Sequence, residues 1–429
     1  MSDSIRGAAA VASALPSPSR RTVLKQAAAL AAGSALGFPA IVRAQANTVK
    51  IGHLTPLTGF LGPLGEYAVM AMKLAVEEVN KAGGINGRQI ELISEDSVNP
   101  STASTKAQRL FERDGVAMLI GEISSAAGLA IAQVALRNKK IFVNTGCNSD
   151  ELRGKSCNRY MFHTEAANSM YVKACGRALL RDNLVKDKKW YSLTADYAFG
   201  HDLLRVAKRF MSQNGGQFAA DELVATDTTD FSPYLLKIRQ AKPDLVISNL
   251  AGNQITNFIK QYTEFGLQFP VAGFGFDTAV AWGAGEDNFG GIWPAIWHHD
   301  VKTPSSEAFV KAFTAKYGKP PENQAWGEYV TMKTFSQAMN ELKTTDSMKL
   351  IEHFEKGAQF DILKARKGYY RAWDHQLMGE MYTMTKKPKG QSKDQWNWLA
   401  LSAPVPGPNE SLEVIGPTKE ENACALPEA

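Results

Sequence analysis

From residue 48 onward, the apolar residues follow two alternating periods. Short runs such as Thr48-Val-Lys-Ile-Gly-His-Leu-Thr55 alternate apolar and polar positions, which is typical of β-strands. Longer runs place apolar residues three or four positions apart, as in Val69, Met72, Val76 and Val79, which is typical of helices. The two kinds of run succeed each other roughly every 25 to 30 residues, so the pattern predicts repeated β-α units and an α/β fold.

The first part of the chain predicts four strands with helices between them. The first helix is expected to end at Gly83-Gly84, and the second to begin at an N-cap formed by Ser101. The third helix is expected over residues 126–138. The strands are expected at residues 48–55, 89–94, 117–121 and 141–144.

The same pattern restarts near Trp190, which indicates a second α/β lobe. Helices dominate residues 305–356, and one of them is expected to open at Pro321-Glu322-Asn323. No low-complexity linker separates the lobes, so the chain is expected to cross between them several times. The remaining expected elements are strands at 190–194, 244–250 and 271–274, a helix over 202–213, and strand-like regions at 369–382 and 396–401.

The first 46 residues have the three parts of a bacterial signal peptide. A basic start with Ser19-Arg20-Arg21-Thr22-Val23-Leu24-Lys25 precedes a weakly apolar segment and a small-x-small cleavage site, Ala44-Gln45-Ala46. The paired arginines predict a twin-arginine signal, so the mature protein is expected in the periplasm. An amphipathic first helix of the fold is the alternative interpretation of this segment.

Removing this segment changes the charge balance. The chain has 48 lysines and arginines against 43 aspartates and glutamates, and the segment contains five of the basic residues and one of the acidic residues. The remainder is nearly neutral, which removes the electrostatic reason for a nucleic-acid or anionic-membrane partner. The mature length exceeds what one hydrophobic core usually supports, so two domains are expected.

The four cysteines enter an oxidising compartment if the chain is exported. Cys147 and Cys157 bracket a short polar segment that can loop back, so a disulfide is expected between them, with free buried thiols as the alternative. Cys175 and Cys424 remain a second candidate pair. The chain has no Cys-x-x-Cys pair, which argues against a redox motif or a zinc ribbon.

Polar and aromatic residues follow the predicted strands of both lobes, where an open α/β sheet places its ligands. In the first lobe these are the glycine-rich loop at residues 55–65, Ser124 with Ser125, and Asn144-Thr-Gly-Cys-Asn148. Tight turns and helix capping are the structural alternatives for these loops. Facing positions in the second lobe predict a cleft between the lobes; they are Tyr197, Phe199, Asn249, Phe276 and Asp277.

Signatures of catalysis and metal binding are weak. Neither a Gly-x-Ser-x-Gly elbow nor a nucleotide-binding glycine loop occurs. His298-His299-Asp300 is at most a fragment of a metal site, because neighbouring histidines of a strand point to opposite faces. His375 is expected to be a hydrogen-bonded structural residue. The sequence therefore predicts a protein that is not an enzyme, with no metal and no cofactor.

Five blocks of the mature chain form a recognisable set. They are Ile51-Gly-x-Leu-Thr-Pro-Leu-Thr-Gly59, residues 75–87, Glu95-Asp96 with Asn99-Pro100, Asp196-Tyr-x-Phe-Gly200, and Arg371-Ala-Trp-Asp-His-Gln376. Together they resemble the extracytoplasmic substrate-binding proteins of branched-chain amino-acid type ABC importers. The last block is similar to the variant of that family that binds amino acids, amides or aromatic acids. The resemblance covers nearly the whole mature chain.

This resemblance implies a type I periplasmic-binding fold, with two Rossmann-like lobes, a central parallel sheet in each, and a three-segment hinge. The implied lobes are residues 47–164 with 295–365, and 165–294 with 366–403, followed by a tail at 404–429. A small solute is expected to close the cleft and then pass to an ABC transporter permease in the inner membrane. The implied ligand-binding residues are Ser124, Ser125, Gly146, Asn148, Tyr197, Phe199, Asn249, Phe276 and Asp277.

Two departures from the family pattern affect the expected ligand. Leucine-binding members carry a cysteine in the block equivalent to residues 122–127, where this chain has none. They also hold the ligand ammonium with an acidic residue beside the position of Gly275, and the nearest candidate here is Asp277. The ligand class stays open between a small amino acid, an amide or urea, and an aromatic carboxylate. A cofactor-carrying exported enzyme and a ligand sensor on the same fold are the alternative functions.

Overall fold

The computed structural model describes residues 48–426. The predicted signal peptide and its cleavage site lie outside the described residues. Within the described part, no helix combines the length and the apolar character that a membrane span needs.

The first lobe is built on a five-stranded sheet with the order β2-β1-β3-β4-β5. Strand β1 pairs in parallel with β3, β3 with β4, and β4 with β5. The predicted alternation of strands and helices is confirmed here. The elements are β1 (Thr48–Thr55), a 3-10 turn (Gly59–Leu61), α1 (Gly62–Lys81), β2 (Gln89–Asp96), α2 (Pro100–Glu112), β3 (Met118–Gly121), α3 (Ser125–Asn138), β4 (Ile141–Asn144), a second 3-10 turn (Asp150–Arg153) and β5 (Met161–His163).

Side chains of this sheet enter two separate cores, because successive residues of a strand point to opposite faces. Ile120 and Val143 pack with residues of α1, whereas their neighbours Leu119 and Phe142 pack with residues of α2 and α3. All four are fully buried. A sheet covered by helices on both faces explains why these short strands are apolar throughout.

The second lobe contains a four-stranded parallel sheet with the order β7-β6-β8-β9. The edge strand β7 was not predicted, because most of its side chains are exposed or half-buried and give no apolar run. The elements are α4 (Asn168–Arg181), β6 (Lys189–Ala195), α5 (Ala198–Gln213), β7 (Gln217–Val224), α6 (Ser232–Ala241), β8 (Leu245–Asn249), α7 (Asn253–Glu264), β9 (Val271–Gly273), α8 (Thr278–Ala284) and β10 (Trp293–Ala295).

The chain passes between the lobes three times. It first runs from β5 to α4, and it returns after β10 to helices of the first lobe, of which α10 packs against α1. It then re-enters the second lobe, where β14 pairs with β10. Two parallel-sheet lobes with three crossings are what the resemblance implies. The elements of this part are α9 (Pro304–Tyr317), α10 (Asn323–Leu342), α11 (Ser347–Glu355), β11 (Gln359–Phe360), β12 (Gly368–Tyr370), β13 (Leu377–Met378), β14 (Tyr382–Lys386), β15 (Leu399–Leu401) and a 3-10 turn (Leu412–Val414).

The predicted start of α2 is wrong by two residues. Asn99, not Ser101, is the N-cap, and its side chain accepts the Thr102 amide at 2.9 Å. Pro100 occupies the first helical position, where a proline lacks only an amide hydrogen that the helix leaves unbonded. The Asn-Pro pair therefore sets the helix start.

The predicted disulfide between Cys147 and Cys157 is wrong. Cys157 is bonded to Cys424 of the tail, whereas Cys147 and Cys175 are free and buried. The Cys147 thiol instead donates to the carbonyl oxygens of Glu122 and Ser124, at 3.4 and 3.3 Å. Cys147 is therefore held inside the first lobe, while Cys157 meets the returning tail.

Ion pairs hold the tail against the second lobe. Glu421 pairs with Lys173 at 2.7 Å and Glu410 pairs with Arg177 at 2.9 Å, and both cations belong to α4 of the second lobe. The tail thus contacts the second lobe before its disulfide reaches the loop that precedes β5. Sequence spacing does not reveal such a route.

We expect Cys424→Ser to lower the free energy of unfolding by roughly 2 to 4 kcal/mol, because the disulfide restricts the unfolded chain. Denaturant unfolding with and without dithiothreitol measures the effect. The reductant should destabilise the wild type and a Cys175→Ala control, but it should not destabilise Cys424→Ser further. A cross-linked peptide containing Cys147 and Cys157 in the oxidised protein would contradict the pairing.

Candidate functional site

A narrow cavity lies where the two lobes meet. The cavity volume is about 20 Å³, which leaves space for one or two water molecules. A solute as large as an amino acid therefore enters only when the lobes or their side chains move apart. The lining residues are Leu61, Leu64, Ile123, Gly146, Asn148, Tyr171, Tyr197, Phe199, Leu250, Ala251, Ile255, Gly275, Phe276, Asp277 and Gln324.

The structure brings part of the predicted site together at this cavity. The predicted residues that line it are Gly146, Asn148, Tyr197, Phe199, Phe276 and Asp277. The other three lie outside the lining. Ser124 is the N-cap residue of α3, and Ser125 accepts the Ser149 amide at 3.3 Å. Asn249 is buried within the second sheet, where it donates to the hydroxyls of Ser192 and Thr194.

The loop after β4 does not offer its backbone amides to the cavity. The amides of Gly146 and Cys147 both donate to Asn144 Oδ1, at 3.1 and 2.6 Å. The Ser125 hydroxyl is also engaged within the first lobe. The backbone amides of Gly146 and Cys147 are therefore already used inside the protein, whereas the Ser125 hydroxyl serves there as an acceptor.

Gln324, which the sequence analysis missed, packs directly on Gly146. A Cβ at position 146 would lie 2.7 Å from Gln324 Oε1 and 3.0 Å from the Glu122 carbonyl oxygen, so a side chain there would displace the Gln324 amide. The Gln324 amide nitrogen donates to Asp277 Oδ1 at 3.0 Å, whereas its buried Oε1 has no hydrogen-bond partner among the described residues. An unbonded buried acceptor beside a cavity is available to a donor on a ligand.

The sequence indication for Gln324 was weak. It follows Pro321-Glu322-Asn323, which predicts a helix start and nothing about a cleft. The missed apolar lining residues, such as Leu64 of α1 and Ile255 of α7, lie on helix faces that look like ordinary core positions. Only the three-dimensional approach of the lobes distinguishes them.

Asp277 is the acidic residue of the cavity wall. Its Oδ1 accepts from Asn323 Nδ2 at 2.6 Å as well as from Gln324, and both amides come from the start of α10. Since α10 packs in the first lobe, these hydrogen bonds join the two lobes. Burial raises the pKa of Asp277, and the two amide donors oppose that effect. Among the described residues that line the cavity, none is a lysine, arginine or histidine.

Two further buried carboxylates lie close to Asp277. Glu165 Oε1 accepts from the Tyr171 hydroxyl at 2.6 Å and from Asn148 Nδ2 at 3.0 Å, and burial raises the pKa of Glu165 to about 7. Glu322 caps α10, and burial followed by the charge of Asp277 raises the pKa of Glu322 well above its usual value. In their ionised forms these carboxylates would favour a cation or an N–H donor in the neighbouring cavity.

The His298-His299-Asp300 group does not have the geometry that the sequence argument assumed. The residues follow β10 in a turn, the two imidazole centroids lie 4.1 Å apart, and one donor atom from each residue lies within 4.8 Å of the others. The Asp300 carboxylate already has the ammonium groups of Lys302 and Lys387 at 3.8 Å. These cations disfavour a metal ion, and the group is not part of the cavity lining.

Known proteins share this architecture. A family model described as periplasmic binding protein matches residues 48–391. The Leu/Ile/Val-binding protein homolog 8 of Brucella suis biovar 1 is 30% identical over 326 residues, which cover 72% of this chain and 80% of that protein. The Leu/Ile/Val-binding protein homolog 7 of Brucella abortus is 26% identical over 356 residues, covering 78% and 88%.

Solved structures agree with these sequence relationships. A periplasmic binding protein from Burkholderia mallei matches with a TM-score of 0.81 and 29% identity, over 89% of this chain and 99% of that one. A branched chain amino acid ABC transporter periplasmic ligand-binding protein from Burkholderia xenovorans matches with a TM-score of 0.75 and 27% identity, over 88% and 99%.

A more distant structure shares the fold. It is the solute binding protein of an ABC transporter from Rhodopseudomonas palustris in complex with benzoate, with a TM-score of 0.73 and 23% identity over 83% of this chain and 96% of that one. The related proteins are binding proteins rather than enzymes, and the two lobes with an intervening cavity agree with that role. This chain is therefore a binding protein that belongs to the periplasmic binding protein family of ABC transporters.

Proposed function

We propose that this protein is the solute receptor of an ABC importer, exported to the periplasm by the twin-arginine signal predicted in residues 1–46. It traps a small solute between its lobes and delivers it to a permease in the inner membrane. Ligand contacts on both lobes favour closure of the hinge, and the solute shifts that equilibrium only by its difference in affinity for the two states. No covalent bond changes.

The chemistry of Asp277 carries the proposal for the ligand class. Its carboxylate lines the cavity without a cationic partner in the described lining, beside the unbonded Gln324 Oε1. Both groups accept hydrogen bonds, so the part of the ligand that meets them must donate. A primary amide, urea or an ammonium group satisfies this requirement.

The opposite end of the ligand meets a different environment. Leu61, Leu64, Ile123 and Ile255 supply an apolar wall, which suits a short hydrocarbon group. The amides of Gly146 and Cys147 are bonded to Asn144, so a free carboxylate finds few donors. Among the three ligand classes that the sequence left open, an amide or urea fits best, a small amino acid fits less well, and an aromatic carboxylate brings an anion to an acidic wall.

An aromatic carboxylate is the second candidate. Tyr197, Phe199 and Phe276 line the cavity, and the related fold from Rhodopseudomonas palustris was solved with benzoate. Binding of this class requires Asp277 to be protonated, because two carboxylates repel each other in a buried site.

A panel of solutes separates these classes. Ligand-free mature protein is heated with acetamide, urea, benzamide, L-leucine or benzoate, and the unfolding temperature is recorded. A solute present at a thousandfold excess over its Kd stabilises the folded state by about 4 kcal/mol. We expect an amide or urea to give the largest shift. A shift with benzoate alone would favour the second candidate, and no shift with any of the five would argue against the proposed receptor function for these classes.

We expect Asp277→Asn to weaken amide or urea binding about ten- to a hundredfold, because a hydrogen bond to an ionised acceptor is replaced by one to a neutral acceptor. Titration calorimetry measures the change in Kd. The control is Asp287→Asn, which removes an exposed carboxylate of the second lobe outside the cavity. Equal affinities for wild type and Asp277→Asn would rule out the acceptor role of Asp277.

Affinity for an N–H donor should fall as the pH is lowered from 8 to 5. Burial raises the pKa of Asp277 and raises the pKa of Glu165 to about 7, so both acids take up protons at a higher pH than exposed carboxylates. Protonation replaces an ionised acceptor by a neutral one, which forms a weaker hydrogen bond with the donor. One coupled proton changes Kd by at most about tenfold per pH unit.

The same titration of Asp277→Asn provides the control for this pH dependence. Its affinity should vary less with pH, because the variant lacks one of the two acids. Benzoate should show the opposite trend and bind better at low pH. A pH-independent affinity of the wild type for an amide or an ammonium compound would contradict the proposed charge state.

A further inference from the structure

Beside the cavity, the backbone of Phe60 in the first lobe lies close to Gly252 in the second lobe. Phe60 belongs to the 3-10 turn that precedes α1 in the first lobe, and Gly252 is the N-cap residue of α7 in the second lobe. Their neighbours Leu61 and Ala251 line the cavity, whereas Phe60 and Gly252 do not.

Gly252 leaves no room for a side chain at this contact. A Cβ added to Gly252 would lie 2.1 Å from the Phe60 carbonyl oxygen, and Cβ atoms in proteins essentially never come within 3.0 Å of another heavy atom in this way. The clash is with backbone, so a side-chain rotation cannot relieve it. Gly252 also has φ +50° and ψ −133°, a conformation that residues with a Cβ adopt only under strain.

The Phe60 side chain extends the same contact. Its ring lies edge-on against Tyr197 of the second lobe, with 5.6 Å between the centroids and 83° between the planes. Tyr197 lines the cavity, so the ring of Phe60 packs against a residue that would face the ligand. Backbone and aromatic contacts therefore lie together at the cavity rim.

We propose that Gly252 is a positioning residue for closure: its missing side chain lets the Phe60 backbone come close enough for the lobes to enclose a solute. This inference rests on the proposed function. Gly252 acts through the closed state and does not touch the ligand. A side chain at this position strains the local backbone whether the lobes are apart or together, but only in the closed state does it also meet the Phe60 carbonyl oxygen. It therefore lowers the closed fraction and raises the apparent Kd in proportion.

The test compares Gly252→Ala with Gly266→Ala. Gly266 follows the C-cap of α7 with φ +63°, and a Cβ there would meet nothing within 4 Å, so its variant also places a Cβ at a positive φ but without the clash. Titration calorimetry uses whichever of acetamide, urea, benzamide, L-leucine and benzoate binds the wild type most tightly. We expect Gly252→Ala to weaken binding at least tenfold and Gly266→Ala to change it less than twofold. The unfolding temperatures of both variants without solute show how much stability each substitution costs apart from solute binding.

Phe60→Ala provides a second variant that leaves the backbone conformation unchanged. It removes the ring contact with Tyr197, so we expect a smaller loss of affinity with an unfolding temperature near that of the wild type. If Gly252→Ala does not fold, this variant decides: an unchanged Kd overturns the inference. If both variants fold and neither binds more weakly than Gly266→Ala, the inference is also overturned.

Small-angle X-ray scattering separates this inference from the proposed function. If none of the five solutes binds the wild type, the proposed ligand classes fail, and the radius of gyration of the solute-free proteins still tests Gly252. A larger radius for Gly252→Ala than for wild type and Gly266→Ala supports the closure contact. A radius of Gly252→Ala equal to that of the closed structure overturns it.

Discussion

The geometry of the cleft depends on one buried cation, Arg153. Its side chain is 0% exposed, and its guanidinium donates to the carbonyl oxygens of Cys147, Ser149 and Glu165 and to the side chain of Gln376, at 2.6 to 3.0 Å. Cys147 and Ser149 lie in the loop after β4, Glu165 lies in the first crossing between the lobes, and Gln376 lies between β12 and β13. A hydrogen bond to a charged group contributes roughly 1.5 to 3 kcal/mol, so the four bonds of this guanidinium hold the three segments to a common geometry.

The Arg153 guanidinium does not line the cavity, so its positive charge does not offset the carboxylate of Asp277 in the cavity wall. Burial lowers the pKa of Arg153, and the charges of Asp150 and Glu165 oppose that effect. The arginine donates to backbone carbonyls and to Gln376 and not to the Glu165 carboxylate. That carboxylate accepts instead from the side chains of Tyr171 and Asn148. The protein thus places its cation out of reach of a solute and presents acceptors to the cleft.

The local pattern of apolar residues predicted much of the fold. Strands of a sheet that is covered on both faces, such as β3 and β4, are apolar throughout and are therefore easy to recognise in the sequence. The pattern failed where a contact joins distant segments. Cys424 reaches Cys157 across 267 residues through ion pairs of the tail, and Gln324 reaches Gly146 through the packing of α10. Strand-end position identified Gly146, Asn148 and Asp277, but it equally indicated Asn249, whose hydrogen bonds are directed into the sheet. The direction of a polar side chain is decided by partners that spacing does not show.

The acidic wall and the closure contact act on the same equilibrium. When the lobes are apart, water hydrates the Asp277 carboxylate; when they meet, burial disfavours its charged form, as the raised pKa of Asp277 indicates. Closure without a solute therefore buries an acceptor that only two amides of α10 satisfy. A solute that donates to Asp277 and to Gln324 Oε1 removes this penalty only in the closed state, and such a difference in affinity is the sole means by which a ligand can drive closure. In the mechanism that we propose, Gly252 sets how near the lobes come, and Asp277 sets which solutes make that approach favourable.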